Sequence, residues 1–286
     1  MTAIRGIDIS RYQGNPDFKR VKAAGIRFVM LKATEGVNYI DPCFKANAAA
    51  TISAGLPIGV YHFLRARSVA DQVRDCLAAI KPYKITWPVA VDVEDAPGTT
   101  ELSKLGRDKL TDMVLDFCGR IKAAGYQPII YSNYNWLYVA KYIDVARIKA
   151  AGIPIWMAWY SKATPDNTDR STLCDMWQYA SDGKADGITS SGLDMNVSYR
   201  DFAPAAFKCD TTSDMQMKHG AFYQMKVTVS DGSAPQVYTG TPDVISILPR
   251  NVVGNDYYIY LCAVGPAGSG TGIYVNGQKQ FAINVK

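Results

Sequence analysis

The stretch Lys122–Ser132, KAAGYQPIIYS, joins a helix end to a strand through a single glycine. A glycine directly after a helix adopts the left-handed cap conformation at little cost, and the apolar run behind it is typical of a strand buried on both faces. The same junction recurs as KAAGIRFVML at 22–31, SAGLPIGVYHF at 53–63 and KAAGIPIWMAW at 149–159. Repeated helix-to-strand junctions of this kind predict a parallel sheet.

Three more segments, GIDIS, WPVAVDVE and CDMWQYA, predict further strands, which gives about eight strands in roughly 200 residues. Because none of them resembles a polar edge strand, a closed barrel is favoured. Helical periodicity is clear in SVADQVRDCLAAIKPY and DKLTDMVLDFCGRIKAAG but fades after about residue 165. The prediction is an α/β fold: an irregular (β/α) TIM-like barrel over residues 1–205, whose last strands lack helices.

The composition changes near residue 209, where helical stripes stop and short β-rich runs alternate with Gly, Asn and Asp. The segments MKVTVSDGS, DYYIYLCAVG and GIYVNGQKQFAINV predict strands. Asn276-Gly277 predicts a hairpin turn, since both residues tolerate a positive φ. Residues 209–286 are therefore expected to form a small all-β domain.

Bulk properties exclude several classes of protein. The net charge of +5 over 286 residues is dispersed, which argues against nucleic acid as a partner. No apolar run is long enough to cross a membrane, and the start MTAIRGIDISRYQG lacks the apolar core of a signal peptide, so synthesis in a cytoplasm is expected. The six cysteines are scattered and are expected to be free thiols, and two histidines are too few for a His-rich metal site.

The segment PVAVDVEDAP at 88–97 carries carboxylates where a buried strand would carry apolar residues. Side chains alternate along a strand, so Asp92 and Glu94 share one face with Cα atoms roughly 7 Å apart. Asp8, at the end of the first predicted strand, and Asp194, in the last, are expected at the same carboxyl end of the barrel. These four residues are the candidate catalytic groups.

Clustered carboxyl groups in a partly dry cleft cannot all ionise, so one tends to act as a general acid while another stays charged. Cleavage of a glycosidic bond needs this division of roles. The residue types alone leave two alternatives open, a helix cap for a single Asp and an oxygen-ligand site for Mg²⁺ or Ca²⁺.

Aromatic residues at or near predicted strand ends favour the glycosidic alternative, because planar rings with polar edges suit the faces of sugars. Each ring taken singly is at least as typical of a core, but together they predict a saccharide groove. The candidate substrate-binding residues are Tyr61, Tyr131, Trp159, Trp177, Tyr179 and, in FVMLKATEG, Lys32.

The motifs GIDISRYQG, FVMLKATEG, GVYHF, AVDVED, IIYSN, IWMAWY, MWQYASDGKADGI and LDMNVSY follow one another in this order. Over roughly residues 4–202 the chain resembles glycoside hydrolase family 25, the muramidases often called Chalaropsis-type lysozymes. The resemblance implies an irregular barrel, no metal or other cofactor, and cleavage of the β-1,4 bond between N-acetylmuramic acid and N-acetylglucosamine in peptidoglycan.

Carried over by position, the resemblance makes Glu94 the general acid, Asp92 its partner, and Asp8 and Asp194 the remaining acidic residues. For Asp92 a substrate-assisted role is favoured, in which it orients the 2-acetamido group whose carbonyl oxygen attacks the anomeric carbon. The alternative is a carboxylate that acts as the nucleophile itself or activates water.

The resemblance extends to phage endolysins, which are made in the host cytoplasm and reach the wall after the membrane is opened. The C-terminal domain is expected to bind the wall, through peptidoglycan or a secondary wall polymer, or else to assemble the chain into a homo-oligomer. Two other functions stay open: a wall-binding protein whose barrel is inactive, and a metal-dependent wall-modifying hydrolase. The metal-dependent enzyme is disfavoured because the chain has only two histidines, and such metal sites usually include imidazole ligands.

Overall fold

The computed structural model describes residues 3–203, 207–229 and 234–286. The chain divides into two compact units, Met1–Ala203 and Pro204–Lys286. The predicted domain boundary near residue 205 falls on 204–206, which lie outside the described residues.

The first unit is a closed eight-stranded barrel, as the sequence predicts. Its strands follow the order β1-β9-β8-β7-β6-β5-β4-β2, and pairing of β1 with β2 closes the ring, while the short β3 pairs only with β2. Within the ring all neighbours are parallel except β9, which runs antiparallel to β1 and β8, and outside the ring β3 runs antiparallel to β2. The strands are β1 Ile4–Ile9, β2 Phe28–Glu35, β3 Tyr39–Ile40, β4 Ile58–Phe63, β5 Val89–Asp92, β6 Pro128–Asn133, β7 Ile155–Ala158, β8 Met176–Ala180 and β9 Asp194–Ser198.

Helices connect the early strands but not the late ones. The α-helices are α1 Phe18–Ala23, α2 Phe44–Ser53, α3 Val69–Ile80, α4 Arg107–Ala123 and α5 Val145–Ala150. Single turns of other helix types occur at Arg11–Gln13, Ser103–Leu105 and Asn135–Val139. After α5 the described part of this unit contains only strands and loops, which confirms the irregular barrel expected from the fading helical periodicity. No helix in the described ranges has the length and apolar character that crossing a bilayer requires.

The four glycine junctions have the predicted conformation. Gly25, Gly55, Gly125 and Gly152 have φ values of 92°, 68°, 85° and 68°, in the left-handed region. Each glycine N–H donates back to a carbonyl in the last turn of its helix at 3.1 Å or less, and the bond from Gly125 to Lys122 measures 3.0 Å. The cap therefore satisfies helix carbonyls while it turns the chain into the next strand.

The barrel has two apolar layers. The outer layer lies between the strands and the helices, and the inner layer fills the barrel with large rings such as Phe28, Trp87 and Trp156. Phe28 and Trp87 stack with ring centroids 3.9 Å apart. A Cβ on Gly6 would lie 2.2 Å from the Phe28 ring, so a glycine is needed there for the ring to enter the barrel. This packing leaves the carboxyl ends of the strands for polar side chains.

The second unit contains two four-stranded sheets, in agreement with the predicted all-β domain. Their orders are β10-β12-β15-β14 and β11-β17-β16-β13. Side chains from both sheets form one apolar cluster. The strands are β10 Phe207–Cys209, β11 Met215–Met217, β12 Phe222–Val229, β13 Val237–Thr239, β14 Ile245–Val253, β15 Asp256–Ala263, β16 Gly270–Val275 and β17 Gln278–Val285.

The sequence predicts a hairpin turn and a strand in MKVTVSDGS for this unit. Asn276 and Gly277 have φ values of 48° and 79° and join β16 to β17, which confirms the hairpin turn. The strand predicted in MKVTVSDGS ends at Val229, and its last part, 230–233, lies outside the described residues. All six cysteines of the chain are free thiols, and four of them are buried.

Candidate active site

The strand register places the four acidic residues at the end of the barrel where the parallel strands terminate and where the antiparallel β9 begins with Asp194. Asp8 lies directly opposite Asp194 in the β1–β9 ladder, and Asp92 is the last residue of β5. Val93 is fully buried in the outer apolar layer, so its neighbours Asp92 and Glu94 face the barrel interior together. Strand alternation therefore puts the paired carboxyl groups where the sequence predicts them.

Asp8 and Asp194 form a carboxyl pair whose two members differ in pKa. Asp8 Oδ2 accepts hydrogen bonds from Gln178 Nε2 and Asn196 Nδ2, both at 2.7 Å. Burial raises the pKa of Asp8 to about 6, and the hydrogen bonds from Asn196, Gln178 and Asp194 oppose the rise. Burial, followed by the charge of Asp8, raises the pKa of Asp194 to about 8. At neutral pH Asp194 is therefore the proton donor of the pair and Asp8 the acceptor.

Asp92 and Glu94 are a second pair whose ionisation is suppressed. Burial raises the pKa of Asp92 well above its usual range, the negative charge of Glu94 adds to the rise, and Lys32 opposes it. Burial also raises the pKa of Glu94, again against the effect of Lys32. Within the described residues, Asp92 Oδ1 is buried without a hydrogen-bond partner. A buried acceptor of this kind is costly unless another molecule supplies a donor.

Lys32 is the cation that acts on both members of this pair. Its ammonium group donates to Glu35 Oε2 at 2.7 Å and lies 4.9 Å from the centre of the Phe63 ring. Its side chain is only 16% exposed. The structure thus places this predicted substrate-binding residue beside the carboxyl cluster, where its charge favours the ionised form of Asp92 and Glu94.

Two of the predicted aromatic residues line the cluster. Burial raises the pKa of Tyr61 and Tyr131 well above the usual range, and nearby carboxylates add to the rise, so both phenols stay neutral. Tyr131 and Tyr160 donate to Gln178 Oε1 at 2.8 and 2.6 Å. These two bonds fix the Gln178 amide so that its NH₂ group faces Asp8.

The structure does not bring the other three predicted aromatic residues into the cluster. Trp177 has no exposed surface and donates to the Trp159 carbonyl from the outer layer, and Tyr179 packs against the same layer. Trp159 has both ring faces covered, by Tyr134 at 3.7 Å between centroids and by the Arg170 guanidinium at 3.5 Å. Trp159 and Trp177 as placed offer no free ring face to a sugar, and Tyr179 is half-buried on the outer side of the barrel.

Sequence reasoning missed Gln178, Asn196 and Tyr160. Alternation along CDMWQYA carries the signal for Gln178, because Trp177 and Tyr179 then occupy the opposite face from it. The same argument applies to Asn196, which lies two residues after Asp194. The two aromatic residues predicted from this segment, Trp177 and Tyr179, lie on its outer face, whereas Gln178 lies on the inner face. Tyr160 follows β7 in a loop, and no periodic pattern indicates its position.

In the ranges that the structure describes, no group of three or more His, Cys, Asp or Glu side chains has an arrangement that could hold a metal ion. The carboxyl groups of the cluster instead interact with amides, a phenol-bound glutamine and Lys32. Carboxyl groups in such surroundings are able to transfer protons and to stabilise positive charge.

Comparison with known proteins agrees with this arrangement. Residues 7–188 match the model of the glycosyl hydrolases family 25. The chain is 29% identical over 201 residues to Lysozyme M1 of Streptomyces globisporus, covering 68% of this chain and 67% of that protein. It is 31% identical over 188 residues to the autolytic lysozyme of Clostridium acetobutylicum, covering 66% of this chain and 54% of that protein.

A solved structure gives a further comparison. The crystal structure of the CTP1L endolysin is 25% identical, with a TM-score of 0.56, and the match covers 76% of this chain and 74% of that one. The chain spans about half to two thirds of the length of the two curated relatives. Since the family model covers well over half of the 286 residues, including Asp8, Asp92 and Glu94, the chain belongs to glycosyl hydrolase family 25.

Proposed function

We propose that this glycoside hydrolase is a muramidase that cleaves the β-1,4 bond between N-acetylmuramic acid and N-acetylglucosamine in peptidoglycan. Relatives named as lysozymes support this substrate. The observation that carries the proposal is the pair of barrel-facing carboxyl groups, Asp92 and Glu94, whose pKa values are both raised. A glycosidic bond lying across them meets a proton donor and a second carboxyl group.

Glu94 is the general acid in this proposal. Its raised pKa keeps a proton on the carboxyl group at pH values where an exposed glutamate has lost it. That proton goes to the leaving glycosidic oxygen as the bond to the anomeric carbon breaks. The opposing effect of Lys32 keeps the pKa from rising so far that proton donation becomes weak.

Asp92 is the partner that serves the sugar's 2-acetamido group. Its unpartnered Oδ1 can accept the acetamido N–H, which turns the acetamido carbonyl oxygen toward the anomeric carbon. That oxygen then forms the new bond while the proton of the Asp92–Glu94 pair is on Glu94. Lys32 and the bound N–H favour this ionised form of Asp92, which stabilises the positive charge that develops on the ring. Direct attack by a carboxylate is the competing route, and the unmet hydrogen bond of Asp92 favours the substrate-assisted one.

Asp8 and Asp194 complete the acidic wall of the groove. Asp8, held by two amides, supplies a fixed negative charge facing the positive charge of the transition state. Tyr61 and Tyr131 stay neutral and can donate to or accept from sugar hydroxyls.

The first experiment is digestion of purified peptidoglycan in EDTA, followed by borohydride reduction and mass spectrometry of the products. The intact chain should release products that end in reduced muramic acid. Glu94→Gln should lower the rate by about a hundredfold to ten-thousandfold, the usual contribution of a general acid. Asp182→Asn, the same chemical change at an exposed carboxyl group, should keep the intact rate.

Each alternative function has its own outcome. Loss of cleavage in EDTA would support the metal-dependent hydrolase, and near-normal cleavage by folded Glu94→Gln would refute the acid assignment. No cleavage by any of these proteins, on walls from several bacteria, would support an inactive wall-binding protein.

The C-terminal unit, residues 209–286 in the predicted division, is proposed to bind the wall, through peptidoglycan or a secondary wall polymer. Tyr258 and Tyr260 alternate with the buried Tyr257, Ile259 and Leu261, so they lie on the outer face of their sheet. Outward tyrosines suit contact with sugar rings. Assembly into a homo-oligomer is the alternative. Cosedimentation with walls, together with mass measurement in solution, separates the two.

The biological role proposed is that of a phage endolysin made in the host cytoplasm. Similarity to the CTP1L endolysin supports it. Expression inside a susceptible bacterium should leave the culture intact until an agent opens the membrane, and lysis should then follow. Lysis without such an agent would indicate an export route instead.

A further inference from the structure

A cavity of about 390 Å³ lies beside the carboxyl cluster and has no role in the chemistry described so far. Its lining residues are Glu35, Gly36, Val37, Tyr39, Arg65 and Arg67, here called the basic pocket. The β2–β3 hairpin supplies the first four residues, and the segment that follows β4 supplies the two arginines.

The basic pocket is close to the proposed reaction. In the sheet, Glu35 pairs with Phe63, and Phe63 pairs with Asp92. Two strand spacings therefore separate Glu35 from Asp92, which is about 10 Å between their Cα atoms. Lys32 connects the two places, because it binds Glu35 and also acts on the pKa of Asp92. A substituent on a sugar bound at Asp92 can reach the pocket.

Most of the pocket is held rigidly. Arg65 donates from Nη2 to Glu35 Oε1 at 2.6 Å and from Nη1 to Glu101 Oε2 at 3.0 Å. Gln72 accepts from the Arg65 N–H and donates to the Arg65 and Arg67 carbonyls. A Cβ on Gly36 would lie 3.0 Å from Arg65 Cγ, so the hairpin approaches Arg65 as closely as glycine allows.

Arg67 differs from Arg65 because its charge has no partner within the described ranges. Its side chain is exposed, and within the described ranges its guanidinium has neither a hydrogen bond nor an ion pair. The Val37 N–H likewise has no acceptor among the described residues. Lys32 and Arg65 already balance Glu35 and Glu101. A free arginine and a free backbone donor beside a neutralised wall form a site for an anion.

We propose that the basic pocket binds a carboxylate of the peptide carried by the muramic acid residue whose glycosidic bond is cut. This inference rests on the muramidase function proposed above. The glycan itself is uncharged, and the acidic wall of the groove repels anions, so a negatively charged substituent is accommodated only on the basic side. The arginine fork of Arg67 matches a carboxylate in two parallel hydrogen bonds.

The test compares kcat/KM on two glycan substrates, strands that keep their peptides and strands from which an amidase has removed them and whose freed lactyl carboxylates have then been converted to amides. Both are prepared free of phosphate polymers. The intact chain should prefer the peptide-bearing strands by about fivefold, the size expected of one partly exposed charged contact. Arg67→Ala should bring this preference close to one, and Arg67→Lys should keep part of it. Lys45→Ala, an exposed cation on α2, should leave the preference unchanged.

The proposal is overturned if Arg67→Ala keeps the full preference, or if the preference survives when the peptide carboxylates are amidated. It is also overturned if a preference appears only on walls that retain phosphate polymers, since the anion would then be a phosphate. Calorimetric titration with the free peptide keeps the test separate from catalysis. The intact chain should bind it more tightly than Arg67→Ala even in the Glu94→Gln background. Failure of the muramidase assignment would abolish cleavage of both substrates and leave this difference in place.

Discussion

The four carboxyl groups of the barrel acquire different roles from their surroundings rather than from their residue type. Asp8 receives hydrogen bonds from two amides, and Asp194 faces Asp8 with a raised pKa. Asp92 has a buried oxygen without a partner among the residues that the structure describes, and Glu94 has an environment that favours its protonated form. The four groups thus differ in their hydrogen bonds and in how strongly they hold a proton, and the acid role proposed for Glu94 rests on its raised pKa.

Lys32→Gln tests how the charge of Lys32 tunes Glu94. Removing the cation takes away the effect that lowers the pKa of Glu94 and of Asp92, so both pKa values should rise. The alkaline limb of the profile of kcat/KM against pH, where the acid loses its proton, should therefore move to higher pH. Lys45→Gln should leave the profile in place. A limb that stays fixed or moves to lower pH in folded Lys32→Gln would contradict the assignment.

Asp194→Asn should make the fold less sensitive to pH. The pKa of Asp194 rises from 3.8 to about 8 in the folded protein, chiefly through burial. Between these pH values the unfolded chain has lost the proton that the folded chain keeps, so the free energy of unfolding of the intact chain falls as pH rises. Asparagine does not ionise and can still donate to Asp8. The variant should equal the intact chain near pH 4 and be more stable near pH 8 by roughly 1–2 kcal/mol, after allowance for solvent screening.

Urea unfolding at the two ends of this range measures the difference. A gap that is constant with pH, or that closes toward high pH, would show that Asp194 does not titrate in this way.

At the residue scale, the sequence identifies groups that follow strand alternation and misses those that depend on ring packing. Asp92 and Glu94 are placed by period-two alternation alone, and the same rule applied to Gln178 would have found it. Trp159 could not be judged from the sequence, because Tyr134 and Arg170 that cover its faces lie 25 and 11 residues away along the chain. Contacts of that range are set by the fold.

At the scale of the elements, packing inside the barrel depends on glycines in the strands, because they leave room for neighbouring groups. Gly59 on β4 faces the interior, and a Cβ there would lie 2.4 Å from Met30 Sδ and 2.8 Å from the Pro88 carbonyl oxygen. The carbonyl is main chain and cannot move without shifting β5. The inner rings can fill the barrel because such positions carry no side chain.

Gly59→Ala should therefore destabilise the barrel, by roughly 1–3 kcal/mol, the cost of overpacking a core. Gly119→Ala is the matched control, since Gly119 is exposed in α4 and nothing lies within 4 Å of its Cβ position. The control should stabilise the chain by about 0.5–1 kcal/mol, because alanine is the better helix former. Denaturant unfolding measures both changes. Equal effects of the two substitutions would show that the tight approach at Gly59 is easily relieved.

The order of the elements shows which parts of the fold can be predicted from local sequence alone. Glycine caps and helical periodicity predict the early helix–strand repeats because the physics is local to each junction. The antiparallel direction of β9 depends on pairing with β1, which lies almost 190 residues away, as in the register Asp8 to Asp194. Turn-rich sequence between β8 and β9 excludes a crossover helix but leaves the strand direction open.

At the scale of the whole molecule, each unit has a core of its own. The barrel unit contains the inner and outer apolar layers, and the C-terminal unit contains a separate cluster built from both of its sheets. Units with independent cores are typical of domains that fold alone. Catalysis and wall attachment can then be separated, provided that each depends on its own unit.

A chain that ends at Ala203 tests this separation. It keeps both barrel layers and all residues of the carboxyl cluster, so it should fold and cleave short soluble glycan strands at a rate similar to that of the intact chain. On whole walls it should be slower by about tenfold or more, because the second unit no longer holds the barrel at a repetitive surface. Lysis of wall suspensions and cleavage of soluble strands, measured side by side, give the two rates. Equal rates on whole walls would remove wall attachment as the role of the C-terminal unit, and loss of both activities in a folded barrel would mean that cleavage itself depends on it.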